Sequence, residues 1–277
     1  MHLDIFISSG LIRNDTFFVK LWRLMNKNIW NRSIAVYTIG TVMAENLSKQ
    51  FNVKDTKLSR VGVINPWADT NIIKPISKNN NPLSIEFEQR DKITILYSGN
   101  MGMTHDIESI LQASKILKDK KKISFLLIGE GEKWQKAYKF QKINKLDNLK
   151  ILPFQPENKL PFTMSLADIA LVSLDSGTET FMIPSKLFYY MSAGAAIVAI
   201  CKGKNDVSEI IKRSNCGHVV DPNKPRKLAS IINELSKDKK KLQIFKKNSR
   251  QSSISIYSRE ICTRRFNREL LSIIYSK

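Results

Sequence analysis

A lysine in the first turn of a predicted helix is the residue whose position most clearly indicates a ligand. Pro184 suits the first position of that helix, and Ser185 and Lys186 follow it. The amino end of a helix carries partial positive charge, so a cation there costs stability unless an anion lies beside it. Lys186 therefore predicts a bound anion such as a phosphate group. The alternative is a solvated lysine that points away from the fold.

Two glycine-rich turns are suited to bind the same anion, because each follows a predicted strand and precedes a predicted helix. The first contains Gly99, Asn100, Gly102 and His105, and the second contains Gly129 and Gly131. Glycine lets the backbone approach a ligand closely, and the N–H groups at a helix start suit a phosphate. Asp106, which follows the first turn, is explained equally well as the N-cap of the next helix.

The elements that carry these residues alternate between short apolar runs and longer helical patterns. This alternation is typical of an α/β fold with a parallel sheet and crossover helices. The strand candidates are residues 34–39, 61–64, 93–97, 124–128, 149–152, 169–173 and 196–200. The helix candidates are residues 106–118, 132–142, 185–193, 206–213, 225–236, 238–251 and 258–274. Ligands bind at the carboxyl ends of the strands in such folds, which is where both glycine turns lie.

The composition is that of a globular protein. Of the 277 residues, 42% are apolar and 25% are charged, which excludes a collagenous, coiled-coil or disordered chain. The longest apolar run, from Ala195 to Cys201, is far shorter than the ~20 residues of a bilayer span. The start lacks a signal-peptide pattern, and the cysteines form no CxxC pair, so we expect a cytoplasmic protein with reduced thiols. The histidines are scattered, so we expect no metal site, and His218 beside Gly217 is expected to be structural.

The net charge of +20 favours an anionic partner, although a lysine-rich surface without any partner explains it equally well. No RRM, KH or helix-turn-helix signature is present, so we expect no nucleic-acid partner. A basic amphipathic helix near the N terminus carries Phe18, Leu21, Trp22, Met25 and Ile29 at helical spacing. This helix would either lie on an anionic membrane, at the inner face of the plasma membrane, or pack on its own domain.

The chain resembles a known family over nearly its whole length. It contains, in this order, YSGNMGMTHDIESIL, LLIGEGE, LPFQPENKLP, ADIALVSL, PSKLFYYMSAGAAIVAI and GHVVDPN. These segments resemble the C-terminal half of GT-B glycosyltransferases, and within them the retaining family GT4 (glycosyl transferase group 1), in its exopolysaccharide and O-antigen branch. The segment VINPWAD resembles the family's interdomain linker. The resemblance implies transfer of a sugar from a UDP- or GDP-linked donor, with retention of configuration and without a metal or other cofactor.

The resemblance also implies roles for individual residues. Glu179 would face the transferred sugar, and Lys186 would stabilise the departing diphosphate. The donor would be bound by Gly99, Asn100, Gly102, His105, Gly129, Gly131, Ser185, Leu187 and Tyr189. Where the family has a phosphate-binding arginine, a lysine and a second glutamate, this chain has Asn100, His105 and Tyr189.

The N-terminal part is short for the family. A polar segment, residues 74–82, is predicted to be an exposed loop, and only about 70 residues precede it. We therefore expect a residual acceptor-side domain with its linker (1–70), a complete Rossmann-like nucleotide-sugar-binding domain (71–257), and a helix that crosses back to the N-terminal part (258–277). The sequence predicts a transferase that acts on a glycan or lipid-linked acceptor, inactive alone if truncated. The alternative is a non-catalytic nucleotide-sugar-binding subunit whose partner chain supplies the acceptor domain.

Overall fold

The computed structural model describes residues 7, 12–51, 60–103, 105–174, 179 and 181–275. Its strands are β1 (Ala35–Thr38), β2 (Arg60–Val63), β3 (Ile93–Ser98), β4 (Ile123–Ile128), β5 (Leu149–Leu152), β6 (Ile169–Ser173), β7 (Ala196–Ile200) and β8 (Gly217–Val220). Its helices are α1 (Phe17–Arg32), α2 (Thr41–Phe51), α3 (Pro82–Glu86), α4 (Ile107–Ile116), α5 (Trp134–Ile143), α6 (Leu160–Ser165), α7 (Lys186–Ser192), α8 (Asp206–Ser214), α9 (Pro225–Lys237), α10 (Lys239–Ser255) and α11 (Arg259–Tyr275).

The main sheet has six parallel strands in the order β5-β4-β3-β6-β7-β8. This confirms the predicted α/β fold class. Alternate residues of each strand enter two different hydrophobic clusters, as in Leu96 and Leu126 on one face and Ile95 and Phe125 on the other. The strand order runs outward in both directions from the β3–β6 pair. Such a reversal leaves a crevice at the carboxyl ends of these two strands.

The N-terminal part forms a separate two-stranded parallel sheet, β1-β2. Helix α11 returns to this sheet, since the rings of Tyr37 in β1 and Phe266 in α11 meet edge to face, 5.6 Å apart. Helix α2 packs against the main sheet and its helices, because Met43 belongs to the same buried cluster as Leu187. The rest of the predicted N-terminal part, residues 1–6, 8–11 and 52–59, lies outside the described residues.

The polar segment 74–82 is mostly the exposed loop that its composition predicts, with exposed residues Lys74, Pro75, Ser77, Asn79, Asn80 and Pro82. Asn81 is the exception. Asn81 is fully buried, where its side chain donates to the carbonyl of Phe162 (2.8 Å) and accepts from the N–H of Leu83 (3.0 Å). In this way Asn81 caps α3, which begins with Pro82. Asn81 departs from that prediction because a polar side chain with hydrogen-bond partners is buried at little cost.

A partly buried ion network ties the same segment to the sheet. The ammonium of Lys78 contacts the carboxylate of Asp168, which also accepts from Lys246 (2.9 Å) and from the N–H of Thr94 (3.0 Å). Burial alone would raise the pKa of Asp168, but these cations and hydrogen bonds outweigh it and lower the pKa. The segment is therefore fixed to the larger domain.

The apolar residues of helix α1 are mostly exposed instead of packed against the rest of the described structure. In the described structure Val19 is its one buried residue, whereas Phe18 is 78% exposed and Ile29 is 56% exposed. The alternative in which this stripe packs on its own domain is therefore not seen in the residues described. No helix in the described part of the chain is long and apolar enough to cross a membrane.

Candidate functional site

The crevice at the β3–β6 switch point contains a cleft of about 370 Å³. Its polar wall consists of Ser98, Gly99, Asn100, His105, Ser185, Lys186 and Tyr189, and the rest of its lining is Ile128, Phe154, Gln155, Leu160, Thr163, Met164, Met182 and Pro184. The polar wall thus brings together six residues that the sequence indicates: Gly99, Asn100, His105, Ser185, Lys186 and Tyr189. The remaining wall is largely apolar, which suits a ligand with one flat or apolar end and one charged end.

Lys186 places a buried ammonium in this cleft. Its side chain as a whole is partly exposed, but Nζ is buried and has no hydrogen-bond partner in the part of the chain that the structure describes. Nζ lies 4.0 Å from the centre of the Tyr97 ring, within range of a cation–π interaction. Burial lowers the pKa of Lys186 to about 7. An anion in the cleft would supply the missing partner.

The loop after β3 is shaped around this ammonium. Gly99 has φ +140°, and a Cβ atom there would lie 3.1 Å from Lys186 Nζ. The hydroxyl of Tyr190 lies 2.6 Å from the N–H of Ser98 and accepts its hydrogen, and the Tyr97 hydroxyl donates to the Asn100 carbonyl (2.7 Å). The hydroxyls of Tyr97 and Tyr190 therefore fix the backbone of this loop, and Gly99 leaves room for the Lys186 side chain.

The second glycine turn supports the first and does not line the cleft. A Cβ atom on Gly129 (φ +151°) would lie 2.0 Å from the carbonyl oxygen of Gly99. A Cβ atom on Gly131 would lie 2.2 Å from the side-chain oxygen of Asn100. Gly102 is also absent from the lining, and its nearest neighbour would be the Asn100 amide nitrogen, at 3.1 Å. In the structure these three glycines shape the loop, and it is Gly99 and Asn100 that face the cleft.

His105 is a fixed part of the cleft wall. Its Nδ1 lies 2.6 Å from the carbonyl oxygen of Ser173, so Nδ1 carries a proton and donates it to the end of β6. The ring is buried and meets Tyr97 edge to face. Lys133 donates to the backbone carbonyl of His105 (2.7 Å) from the far side of the loop. These contacts orient the imidazole across the switch point.

Leu187 is a core residue whose side chain does not line the cleft. Its side chain is fully buried in the main hydrophobic cluster, and its N–H donates to the carbonyl of Pro184 (3.0 Å). The N–H of Phe188 likewise donates to Ser185 (3.0 Å). The helical period turns this side chain inward, and the first turn uses its N–H, so a role for Leu187 in donor binding stays a prediction. Ser185 and Lys186 are the positions of this turn that face the cleft.

Glu179 is not among the described residues that line the cleft. It is buried, and its Oε1 accepts from the backbone N–H of Lys202 (3.3 Å), just after β7. Its neighbours 175–178 and 180 lie outside the described residues. The role of Glu179 toward a sugar stays a prediction.

The apolar wall contains residues to which the sequence analysis gave no role. Phe154 and Gln155 follow β5, and the Phe154 ring is 49% exposed over the cleft. The rule that ligands bind at the carboxyl ends of parallel strands applies to β5 as well and would have found them. Within the residues described, no group of three or more histidine, cysteine, aspartate or glutamate side chains is arranged to hold a metal ion.

Comparison with known proteins finds sequence similarity to curated glycosyltransferases. It is 28% identical over 229 residues to the probable glycosyltransferase WbjE of Pseudomonas aeruginosa, covering 83% of this chain and 56% of WbjE. It is also 28% identical over 120 residues to WcaI of Escherichia coli K12, named for colanic acid biosynthesis, covering 43% of this chain and 29% of WcaI. The chain thus spans about half of the first relative's length.

The fold has a solved counterpart in Anabaena Alr3699/HepE in complex with UDP. The TM-score is 0.75 at 16% identity, over 90% of this chain and 67% of that one. This likeness bears on the fold, which is the GT-B fold that the sequence predicts. Residues 83–252 match the model of the family described as glycosyl transferases group 1, and the chain belongs to that family.

Proposed function

We propose that the cleft binds the diphosphate of a nucleotide-sugar donor and that the chain transfers the sugar. The observation that carries this proposal is the buried ammonium of Lys186, which has no hydrogen-bond partner in the described structure. A diphosphate at the polar wall would pair with this ammonium and with the positive end of α7. The same contacts would stabilise the charge that develops on the leaving diphosphate during transfer.

The apolar wall suits the nucleoside end of the donor. The exposed ring of Phe154 offers a flat face to a base, and Gln155 offers an amide that can donate and accept hydrogen bonds. HepE, which shares the fold, was crystallised with UDP and also with UDP-glucose. A UDP-linked donor is therefore the first candidate, and a GDP-linked donor is the second.

The other predicted residues have roles that follow from this orientation. Asn100 would donate a neutral hydrogen bond to a phosphate oxygen where the family has an arginine. The Nδ1–H of His105 is already donated to Ser173, so its Nε2 would donate to a phosphate oxygen only in the charged imidazolium form. Tyr189 would lie along the ribose, and Glu179 would bind the sugar at the far side of the leaving group. By family membership we propose that the configuration at the sugar is retained, and that no metal takes part.

The acceptor is proposed to be a glycan or a lipid-linked saccharide in the synthesis of a cell-surface polysaccharide, as the name of WcaI supports. In the alternative, the chain is a non-catalytic donor-binding subunit, and a partner chain supplies the acceptor domain that completes the site.

The exposed apolar face of α1, with Lys20, Arg23 and Lys27, would hold a cytoplasmic enzyme on an anionic membrane. Sedimentation with phosphatidylglycerol vesicles tests this contact, and equal binding to neutral vesicles would contradict it.

Calorimetric titration of the purified chain with UDP, GDP, UMP and uridine tests the proposed site. We expect a Kd in the micromolar range for one nucleoside diphosphate, at least about tenfold weaker binding of its monophosphate, and no measurable binding of the nucleoside. This order follows because the terminal phosphate contacts Lys186. Equal affinity for UDP and uridine would contradict a diphosphate site.

A further inference from the structure

A carboxylate of the larger domain binds the N-terminal part of the chain at a helix start. One oxygen of Asp206 accepts from the N–H of Val42 (2.9 Å), and the other accepts from the N–H of Met43 (3.0 Å). The first oxygen also accepts from the Thr41 hydroxyl (3.3 Å). Asp206 is 3% exposed, so these hydrogen bonds are shielded from water. The carboxylate therefore caps α2 from another part of the fold.

The residues around Asp206 leave its carboxylate space and leave it free to contact α2. A Cβ atom on Gly40 would lie 2.2 Å from the carboxyl carbon of Asp206, so a larger residue there would displace the carboxylate from its place against α2. Asp206 is not needed to cap its own helix, because Asn205 and Ser208 form a capping box at the start of α8. Two helix starts meet here, and the shared carboxylate offsets their positive ends.

The same loop also reaches the candidate site. Lys202, four residues before Asp206, donates its N–H to Glu179 (3.3 Å). The short connection between β7 and α8 therefore contacts Glu179 at one end and α2 at the other. On the α2 side, Met43 packs in the same buried cluster as Val207. A shift of α2 would thus be transmitted to the segment that holds Glu179.

From these contacts we infer that Asp206 is a positioning residue, which fixes α2 and the β1-β2 sheet at one orientation against the donor domain. The donor cleft itself is lined only by residues between 98 and 189 among those described, so loss of this contact leaves donor binding intact. The exposed pair of Lys204 and Glu45 (3.3 Å) adds little, because solvent screens it. The consequence for sugar transfer rests on the proposed function, whereas the positioning itself does not.

Hydrogen exchange measured on the whole chain tests this inference. In D206N and D206A we expect the amides of Val42 and Met43 to exchange about tenfold or more faster than in the wild type, because a charged acceptor has been removed. The matched control is E209Q, which removes one negative charge from the same helical turn, where Glu209 makes no side-chain hydrogen bond or ion pair with the described part of α2. It should leave both amides at the wild-type rate. D206E retains the charge and should restore part of the protection.

Two further measurements separate positioning from general stability. Amides of β3, β6 and β7 should keep their wild-type exchange in D206N, and the Kd for UDP should stay within about twofold of the wild type. Unchanged exchange at Val42 and Met43, or equal acceleration throughout the main sheet, would overturn the inference. If the wild type itself fails to bind UDP, the proposed function fails, and the exchange comparison still decides the role of Asp206.

Discussion

Replacement of Lys186 with methionine is expected to weaken binding of UDP by about 10- to 100-fold, since hydrogen bonds to a charged partner contribute about 1.5–3 kcal/mol. Methionine fills nearly the same space above the Tyr97 ring but carries neither charge nor donor. The effect should be largest for nucleoside diphosphates and absent for the nucleoside, because Lys186 belongs to the polar wall of the cleft. Calorimetric titration with UDP measures it.

The same variant should be at least as stable as the wild type at neutral pH. Burial lowers the pKa of Lys186 to about 7, below its ordinary value of 10.5. Between these two values the unfolded chain binds more protons, so wild-type stability rises as the pH increases through this window. K186M lacks the buried charge and should lack this rise, as denaturant unfolding at pH 6 and pH 9 would detect. The matched control is K136M, which removes an exposed lysine outside the cleft. Wild-type affinity for UDP in K186M would contradict the assigned role.

Replacement of Gly129 with alanine is expected to destabilise the fold by about 3 kcal/mol or more and to abolish UDP binding. The added Cβ atom would lie 2.0 Å from a backbone oxygen of Gly99, and backbone cannot move aside as a flexible side chain can. The loop that faces Lys186 would have to shift. Denaturant unfolding and UDP titration of the same preparation measure both consequences.

The control for this variant is G203A. Gly203 also has a positive φ, of +68°, but nothing lies within 4 Å of a Cβ atom there. It should therefore lose only the conformational advantage of glycine, about 1 kcal/mol, and bind UDP normally. The difference between the two variants reports the steric contact between the glycine turns together with the larger backbone cost of alanine at φ +151°. Equal destabilisation would mean that backbone conformation alone explains the need for Gly129.

The main sheet could be predicted from the sequence because its strands are buried on both faces. The apolar runs at 149–152, 169–173 and 196–200 have the same bounds in the structure as in the prediction. Continuous valine, isoleucine and leucine leave few alternatives for such segments. The unusual position of Lys186 in the first turn of a helix was also predictable, since the cost of a cation at a helix start is a local property.

Residues whose role depends on distant partners could not be predicted in the same way. Asn81 looks like a loop residue until Phe162, far along the chain, accepts its hydrogen bond. Glycine at position 129 signals a close approach, but the sequence does not say whether a ligand or Gly99 makes it. Asp206 has the sequence signature of an ordinary first-turn acid, and only the fold brings α2 to it.

Proton uptake on UDP binding tests the central claim, a diphosphate bound to the buried ammonium of Lys186, most directly. At pH 8 a lysine with a pKa of about 7 is mostly neutral in the empty cleft, and a bound diphosphate favours its charged form. Titration at pH 8 in two buffers of different ionisation enthalpy should therefore report uptake of close to one proton per UDP, and close to none for K186M. UDP binding without proton uptake, or no UDP binding at all, would contradict it.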